Sequence, residues 1–338
     1  MKKENLSDAI NLINDDIIEQ TEATRVVNKK SQTMRIARTC VAACLAMAIT
    51  VTVIVLYPKF KENNTNTPKP NGQNLPTLEI SQDFGDMGFE GYYLNDISEL
   101  VNANPWNKDN TITTLPVFKN ANYPNNTDKE IDFNPSVLLP DKYNFSHHAT
   151  YEEALAVAEY LKDEYKNIIK FKKPQINITG GNYNIYGQQS YNIDFFDSSD
   201  DLVQDIINYN FNRVAFYCDD DGKLFLARIY QPDLSDKIGD YPIISVDKAE
   251  ELLANGNYIT SAPYKMPGIK YVKKVELIYR NIYWLDKIYM PYYKFYVELP
   301  ENQDIAIKNG LKTYGAYYVP AVEEKYISNM PTWNGMFN

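Results

Sequence analysis

Residues 213–228 read RVAFYC-DDDG-KLFLAR, two apolar runs joined by Asp219-Asp220-Asp221-Gly222. Aromatic and β-branched residues fit a pleated, half-buried surface, and Asp-Gly favours the tight turn that returns one strand antiparallel to the last. The stretch therefore predicts a β-hairpin. Upstream, Leu202, Val203, Ile206 and Ile207 give a helix from Ser199 to about Asn208, preceded by strand-like segments at 175–179 and 191–196 that Gly180-Gly181 and Gly187 separate. Further upstream, Thr150 and Glu153 have capping-box spacing, and Leu155, Ala158 and Leu161 form the stripe of a helix reaching about Tyr165. Downstream, Ser245 caps a helix with Val246, Ala249, Leu252 and Leu253 inward, stopped at Asn255-Gly256. Extended stretches follow at 271–280, 291–299 and 313–320. Helix followed by antiparallel meander is thus read twice, over 149–235 and 241–328, and a duplicated α+β unit is plausible.

The rest of the 338 residues divides by composition. Thr39 to Tyr57 is a run of 19 uncharged residues, about 29 Å of helix against a hydrocarbon core of about 30 Å. It shows no polar face, so it is read as a single transmembrane helix. A cleaved signal would place its apolar run nearer the start. Val41-Ala42-Ala43-Cys44 fits a lipobox only loosely, because most of the run follows the cysteine. Arg25, Lys29, Lys30, Arg35 and Arg38 precede the run, and Lys59, Lys61 and Lys69 follow it, which places residues 1–38 in the cytoplasm and the C-terminal part outside. In that tail Leu6, Ile10, Ile13 and Ile17 recur at helical spacing, the candidate contact for a cytoplasmic regulatory protein. Residues 58–78 read as a polar linker, and 79–148 as an irregular Pro/Asn-rich subdomain with a few strands. The expected fold class is α+β: one transmembrane helix plus extracytoplasmic antiparallel sheets packed with a few helices.

Composition excludes several functions. A formal charge of −10 and a pI near 4.9 argue against nucleic acid, whose phosphates need clustered Lys and Arg. Three cysteines cannot build a disulfide framework, and two histidines leave few ways to build a metal or acid–base site. His147-His148 could join Asp141 at a metal, but no further ligand completes a set. Cys218 lies in a strand and shows no base partner, so it reads as a strand thiol. Asp219-Asp220-Asp221-Gly222 lacks the spacing of a calcium loop, because Tyr217 stands where an Asp is needed. Asp197, Asp200 and Asp201 suit a helix N-terminus. No cofactor, metal or catalytic residue is expected. Asn makes up about 11% of the chain and Tyr is 28 residues against 14 Phe, a bias that AT-rich coding supplies. Trp284, Tyr289, Tyr292, Tyr293, Tyr296, Tyr314, Tyr317 and Tyr318 crowd the last strands. Alternation sends half of them to a core and leaves half outward, where tyrosine rows suit peptide or glycan contact.

Two resemblances follow from particular residues. Leu6-Ser7-Asp8-Ala9-Ile10 through Asp15-Asp16-Ile17-Ile18-Glu19, then a basic stretch and one span, resembles the N-termini of clostridial single-pass envelope proteins, some of them labelled anti-sigma-like. The tail has no His or Cys before Cys40 and so lacks a zinc-binding anti-sigma signature. Glu276-Leu277-Ile278-Tyr279, Pro291 through Tyr296, and Tyr317-Tyr318-Val319-Pro320-Ala321-Val322 resemble the C-terminal α+β units of accessory regulators of cell-wall two-component systems, the YycH/YycI type, related in shape to PepSY-like domains. These resemblances imply an outer sensing or partner-binding domain with inner contact to a kinase, sigma factor or similar regulator. The function expected is a non-enzymatic, membrane-anchored extracytoplasmic binding or sensing protein for a protein, peptide or wall ligand. An extracytoplasmic hydrolase acting on peptide or glycan is the alternative.

Overall fold

Three antiparallel sheets carry the fold. The computed structural model describes residues 74–82, 88–184, 186–300 and 310–335, all within the unit Gly72–Asn338. The expectations for the tail, including Leu6, Ile10, Ile13 and Ile17, for the span 39–57 and for the linker up to residue 73 lie outside the described residues.

The expected fold class needs correction. Among the described residues antiparallel sheet dominates, and no helix is long and apolar enough to cross a membrane. The longest, α1 (Tyr151–Glu164), has 14 residues, about 21 Å against the 30 Å required. It buries Ala154, Val157, Ala158 and Leu161 along one stripe. Such a helix covers a sheet and leaves its other face to water. Among the described residues the fold is therefore antiparallel sheet packed with short helices, none of them a membrane span.

A five-stranded sheet runs β3 (Lys129–Val137), β7 (Leu224–Tyr230), β6 (Arg213–Cys218), β5 (Gln189–Asp197), β4 (Pro174–Tyr183). The β6–β7 pair is the hairpin read from 213–228. Its turn is fixed by Asp219, whose Oδ1 accepts from the backbone N–H of Asp221 and Lys223 at 3.0 and 2.8 Å. Alternation gives this sheet two unlike faces. Ile178, Ile193, Phe195, Val214 and Phe216 pack under α1. The other face carries Asn177, Thr179, Asn192, Asp194, Arg213 and Arg228, matched across the ladder as Asn177↔Asp194, Thr179↔Asn192 and Ala215↔Arg228. The capping box of Thr150 and Glu153 starts α1 as the spacing predicts.

The four-stranded sheet runs β1 (Gly91–Leu94), β12 (Lys312–Pro320), β11 (Pro291–Glu298), β9 (Val272–Tyr279). α3 (Leu202–Phe211) connects β5 to β6 and α4 (Val246–Ala254) precedes β9; a short α2 (Lys166–Ile169) follows α1. One face of this sheet presents Tyr293, Phe295, Tyr317 and Val319 to Leu252 and Leu253 of α4 and to Ile206 and Phe211 of α3. The opposite face presents Tyr292, Ala316 and Tyr318 to Val117, Tyr241 and Leu78. Outward tyrosine rows are thus absent here: Tyr289, Tyr292, Tyr293, Tyr296, Tyr314, Tyr317 and Tyr318 are all buried, and Trp284 alone of that group is exposed, at 42%. Alternation held, but both faces are covered.

The third sheet is β10 (Ile288–Tyr289), β2 (Thr114–Lys119), β8 (Lys237–Pro242). The Pro/Asn-rich segment 79–148 therefore supplies one strand to each sheet: β1, β2 and β3. Leu75 and Leu78 also pack into the fold, with Leu78 bridged to Ile327.

Candidate functional site

A cleft of about 440 Å³ opens where the polar face of the five-stranded sheet meets β9, β11 and the segment after β1. That volume lies in the range of small-molecule sites. One wall comes from Tyr92, Glu276, Lys294 and Tyr296; the other comes from Thr179, Ser190, Asn192 and Arg213; Asn102, Tyr209 and Asn281 fill the ends. Residues from Tyr92 to Tyr296 meet here, so the site is a product of topology and not of any local motif.

The first wall holds a closed polar network. Lys294, on central strand β11, contacts Glu90 Oε1 at 2.6 Å and the Tyr92 hydroxyl at 3.0 Å. Tyr92 and Tyr318 donate to the two oxygens of Glu90 at 2.6 and 2.5 Å. The ammonium also sits 4.9 Å from the Tyr296 ring centre and 5.4 Å from that of Tyr92, within cation–π range. Burial opposes charge on Lys294, but Glu90 and the surrounding tyrosines outweigh it and hold the amine well above its ordinary pKa. Lys294 is thus held as a cation in its pair with Glu90. Glu276 is held in the same way: Asn102 and Lys274 donate to Oε1 at 2.7 and 2.8 Å, and Tyr296 donates to Oε2 at 2.8 Å. Burial works against ionised Glu276, yet Lys274, Lys294 and these hydrogen bonds bring its pKa below the usual value.

The second wall is looser. Asp194 is 5% exposed, and its Oδ1 accepts from Asn177 at 2.9 Å. Burial pushes its carboxyl up against the opposing pull of Arg213 and Asn177. Arg213 approaches Asp194 Oδ2 only to 3.6 Å, beyond hydrogen-bond distance, and its buried Nε has no hydrogen-bond partner. The guanidinium lies 5.0 Å from the Tyr230 ring centre. Tyr209, on α3, has its hydroxyl pushed up by burial, with Glu276 and Asp194 adding to the effect.

Sequence reading did not find this site. Arg213 stood in the hairpin as the first letter of a strand, and Glu276 and Lys294 as parts of extended stretches. A usable signal existed in the alternation that sends Arg213, Ala215 and Tyr217 to one side and the apolar Val214 and Phe216 to the other. The residues that sequence reading weighed fall elsewhere. His147 and Cys218 do meet, with Nδ1 and Sγ 3.9 Å apart, although no base partner for Cys218 was legible. Burial pushes that thiol up, and Asp219 and Asp220 push it further, so the pair is not an activated one. Among the described residues no group of His, Cys, Asp and Glu is arranged to hold a metal ion, His148 and Asp141 included. Asp201 caps α3 through the Gln204 N–H at 2.8 Å, and Asp200 pairs with Lys173 at 2.6 Å.

No protein-family model and no curated protein matches the chain.

Proposed function

We propose that the chain is a non-enzymatic binding protein and that the cleft between the two larger sheets takes a small polar ligand. The observation that supports this reading is the state of its acids. A hydrolase that works through a carboxyl pair, as a glycosidase does, needs one carboxyl kept ionised and another kept protonated, both open to substrate. Glu276 and Asp194 reproduce that split in pKa direction. Each is nevertheless consumed by its own protein partners, Glu276 on both oxygens and Asp194 in a nearly sealed position. What stays open to a ligand is a set of neutral hydrogen-bonding groups, Asn192, Ser190, Thr179 and the Tyr209 hydroxyl, beside Arg213. Such a surface recognises amides, hydroxyls and single charges without reacting with them.

A thermal-shift screen of the full-length protein against peptides, oligosaccharides and nucleotides tests this. A ligand at a hundredfold excess over its Kd is expected to add about 2.7 kcal/mol to stability, and Asn192→Ala is expected to weaken that gain. Turnover of any peptide or glycan that disappears in Glu276→Gln would overturn the binding reading.

A further inference from the structure

We propose that the ligand of this cleft is a short peptide whose C-terminal carboxylate seats on Arg213. The inference rests on the cleft being a binding site and adds the class of what it binds.

Arginine carries five N–H donors in a planar fork that matches a carboxylate two bonds at a time. Arg228 spends its fork on Glu130, through Nε and Nη2 at 2.9 and 2.6 Å. Arg280 spends its own on Asp286, again through Nε and Nη2, at 2.9 and 2.6 Å. Arg213 has no equivalent partner. Its Nε is sealed without an acceptor, Asp194 stands off at 3.6 Å with Oδ1 already given to Asn177, and the two Nη groups are the part of the fork that a ligand can reach. Among the three carboxylates around the cleft, Glu90 and Glu276 each contact a lysine at 2.6 and 2.8 Å, so Arg213 is the least neutralised of the cations there. Three cations, Lys294, Lys274 and Arg213, face three carboxylates, Glu90, Glu276 and Asp194, and Arg213 is the one whose partner stays beyond hydrogen-bond distance, so it is the cation with donors to spare for an incoming carboxylate.

The peptide class follows from what the free edge of this sheet, at β4, already holds. Residues 100–104 of the chain itself lie against β4: Val101 and Gly180 exchange both backbone hydrogen bonds, at 3.1 and 3.4 Å, and the Ala103 N–H donates to Asn177 Oδ1 at 2.8 Å. A Cβ on Gly181 would run into the carbonyl oxygen of Glu99, so the close approach of that segment requires glycine there. Asn192 lies on the same face as Asn177, paired with Thr179 one ladder step beyond it, and its amide makes no hydrogen bond among the described residues. An amide on a sheet face can receive a second extended backbone as Asn177 receives the first.

The test uses the full-length protein and two probes: a mixed library of N-acetylated tripeptides with free C-termini, and the same library amidated. Binding is read by calorimetry and saturation-transfer NMR. The acid library is expected to bind at least tenfold tighter than the amide library. Arg213→Gln is expected to abolish the difference, and Arg213→Lys, which keeps a charge beside Asp194 but loses the fork, to retain only part of it. Circular dichroism melts of both variants establish that they fold. Equal binding of acid and amide, or an acid preference that survives in Arg213→Gln, overturns the proposal, as does failure of both libraries to bind. Chitotriose separates the two readings. If it binds and Asn192→Ala weakens it while the peptides fail, the cleft stands and the carboxylate falls. If neither class binds, the carboxylate falls, and the cleft reading falls with it once nucleotides fail as well.

Discussion

The two larger sheets are built from the same kind of hairpins and end in opposite conditions. The four-stranded sheet is covered on both faces, and its tyrosines interlock with α3, α4 and the small third sheet. The five-stranded sheet packs α1 on one face; on the other, α3 and residues 100–104 cover Phe196, Asn177 and Asp194 and leave Asn192, Ser190 and part of Arg213 open to the cleft. The difference lies in what alternates with the apolar residues. In β11 the partners of Tyr293, Phe295 and Val297 are Tyr292, Lys294 and Tyr296, which can be buried once Lys294 is paired. In β5 and β6 the partners of Ile193, Phe195 and Val214 are Asn192, Asp194 and Arg213, which cannot all be. Both sheets wall the cleft, but the side chains left free for a ligand come from the five-stranded one.

If so, substitutions should rank by sheet. Phe295→Ala, at a position with no exposed surface, is expected to cost about 3–5 kcal/mol in urea unfolding. Lys294→Ala leaves Glu90 without its cation; the expected loss is about 2–4 kcal/mol, trimmed from the buried-pair range because Glu90 keeps some contact with water. Thr150→Ala removes the cap of α1 and is expected to cost about 1 kcal/mol. Asn192→Ala, on the open face, is expected to change stability by less than about 0.5 kcal/mol while weakening ligand binding. A large stability loss from Asn192→Ala, or a small one from Phe295→Ala, would break the contrast.

Acid sharpens it further. Burial raises Glu90, but Lys294 and the hydrogen bonds from Lys294, Tyr318 and Tyr92 bring its pKa below the ordinary 4.5, and Glu276 behaves likewise. A carboxyl depressed on folding contributes stability that is present above its unfolded pKa and lost as pH falls through the folded one. The four-stranded sheet should therefore weaken below about pH 4.5. Asp194 works in the other direction: its raised pKa makes its contribution decline as pH rises from 3.8 toward the folded value. Glu276→Gln is expected to flatten the acid limb of a pH–stability profile, and Asp194→Asn is not.

The hairpin at 213–228, the capping box at Thr150 and the helix opened by Ser245 were legible because each is a local agreement of turn chemistry with periodicity. The destinations of β1, β2 and β3 were not, since no spacing within 79–148 tells a strand which of three sheets it will join. The asparagine content was read as coding bias, yet side-chain amides close backbone that no strand reaches. Asn329 pairs with both the N–H and the carbonyl of Ile80, at 2.9 and 2.8 Å. Asn210 and Asn104 engage the free edge of β9 at Tyr279 and Leu277. Such pairs join residues 69 to 249 positions apart, beyond any window of periodicity. The cleft was invisible for the same reason: Asn102, Arg213 and Glu276 become neighbours only when β4, β6 and β9 are in place.

Soaking crystals of the full-length protein with a small, chemically diverse fragment collection tests the division of labour most directly. Fragments are expected to gather in the cleft, with carboxylate-bearing ones against the Arg213 guanidinium and amides against Asn192. A cleft left to solvent, with fragments clustering instead at Trp284 or over the four-stranded sheet, would contradict the account.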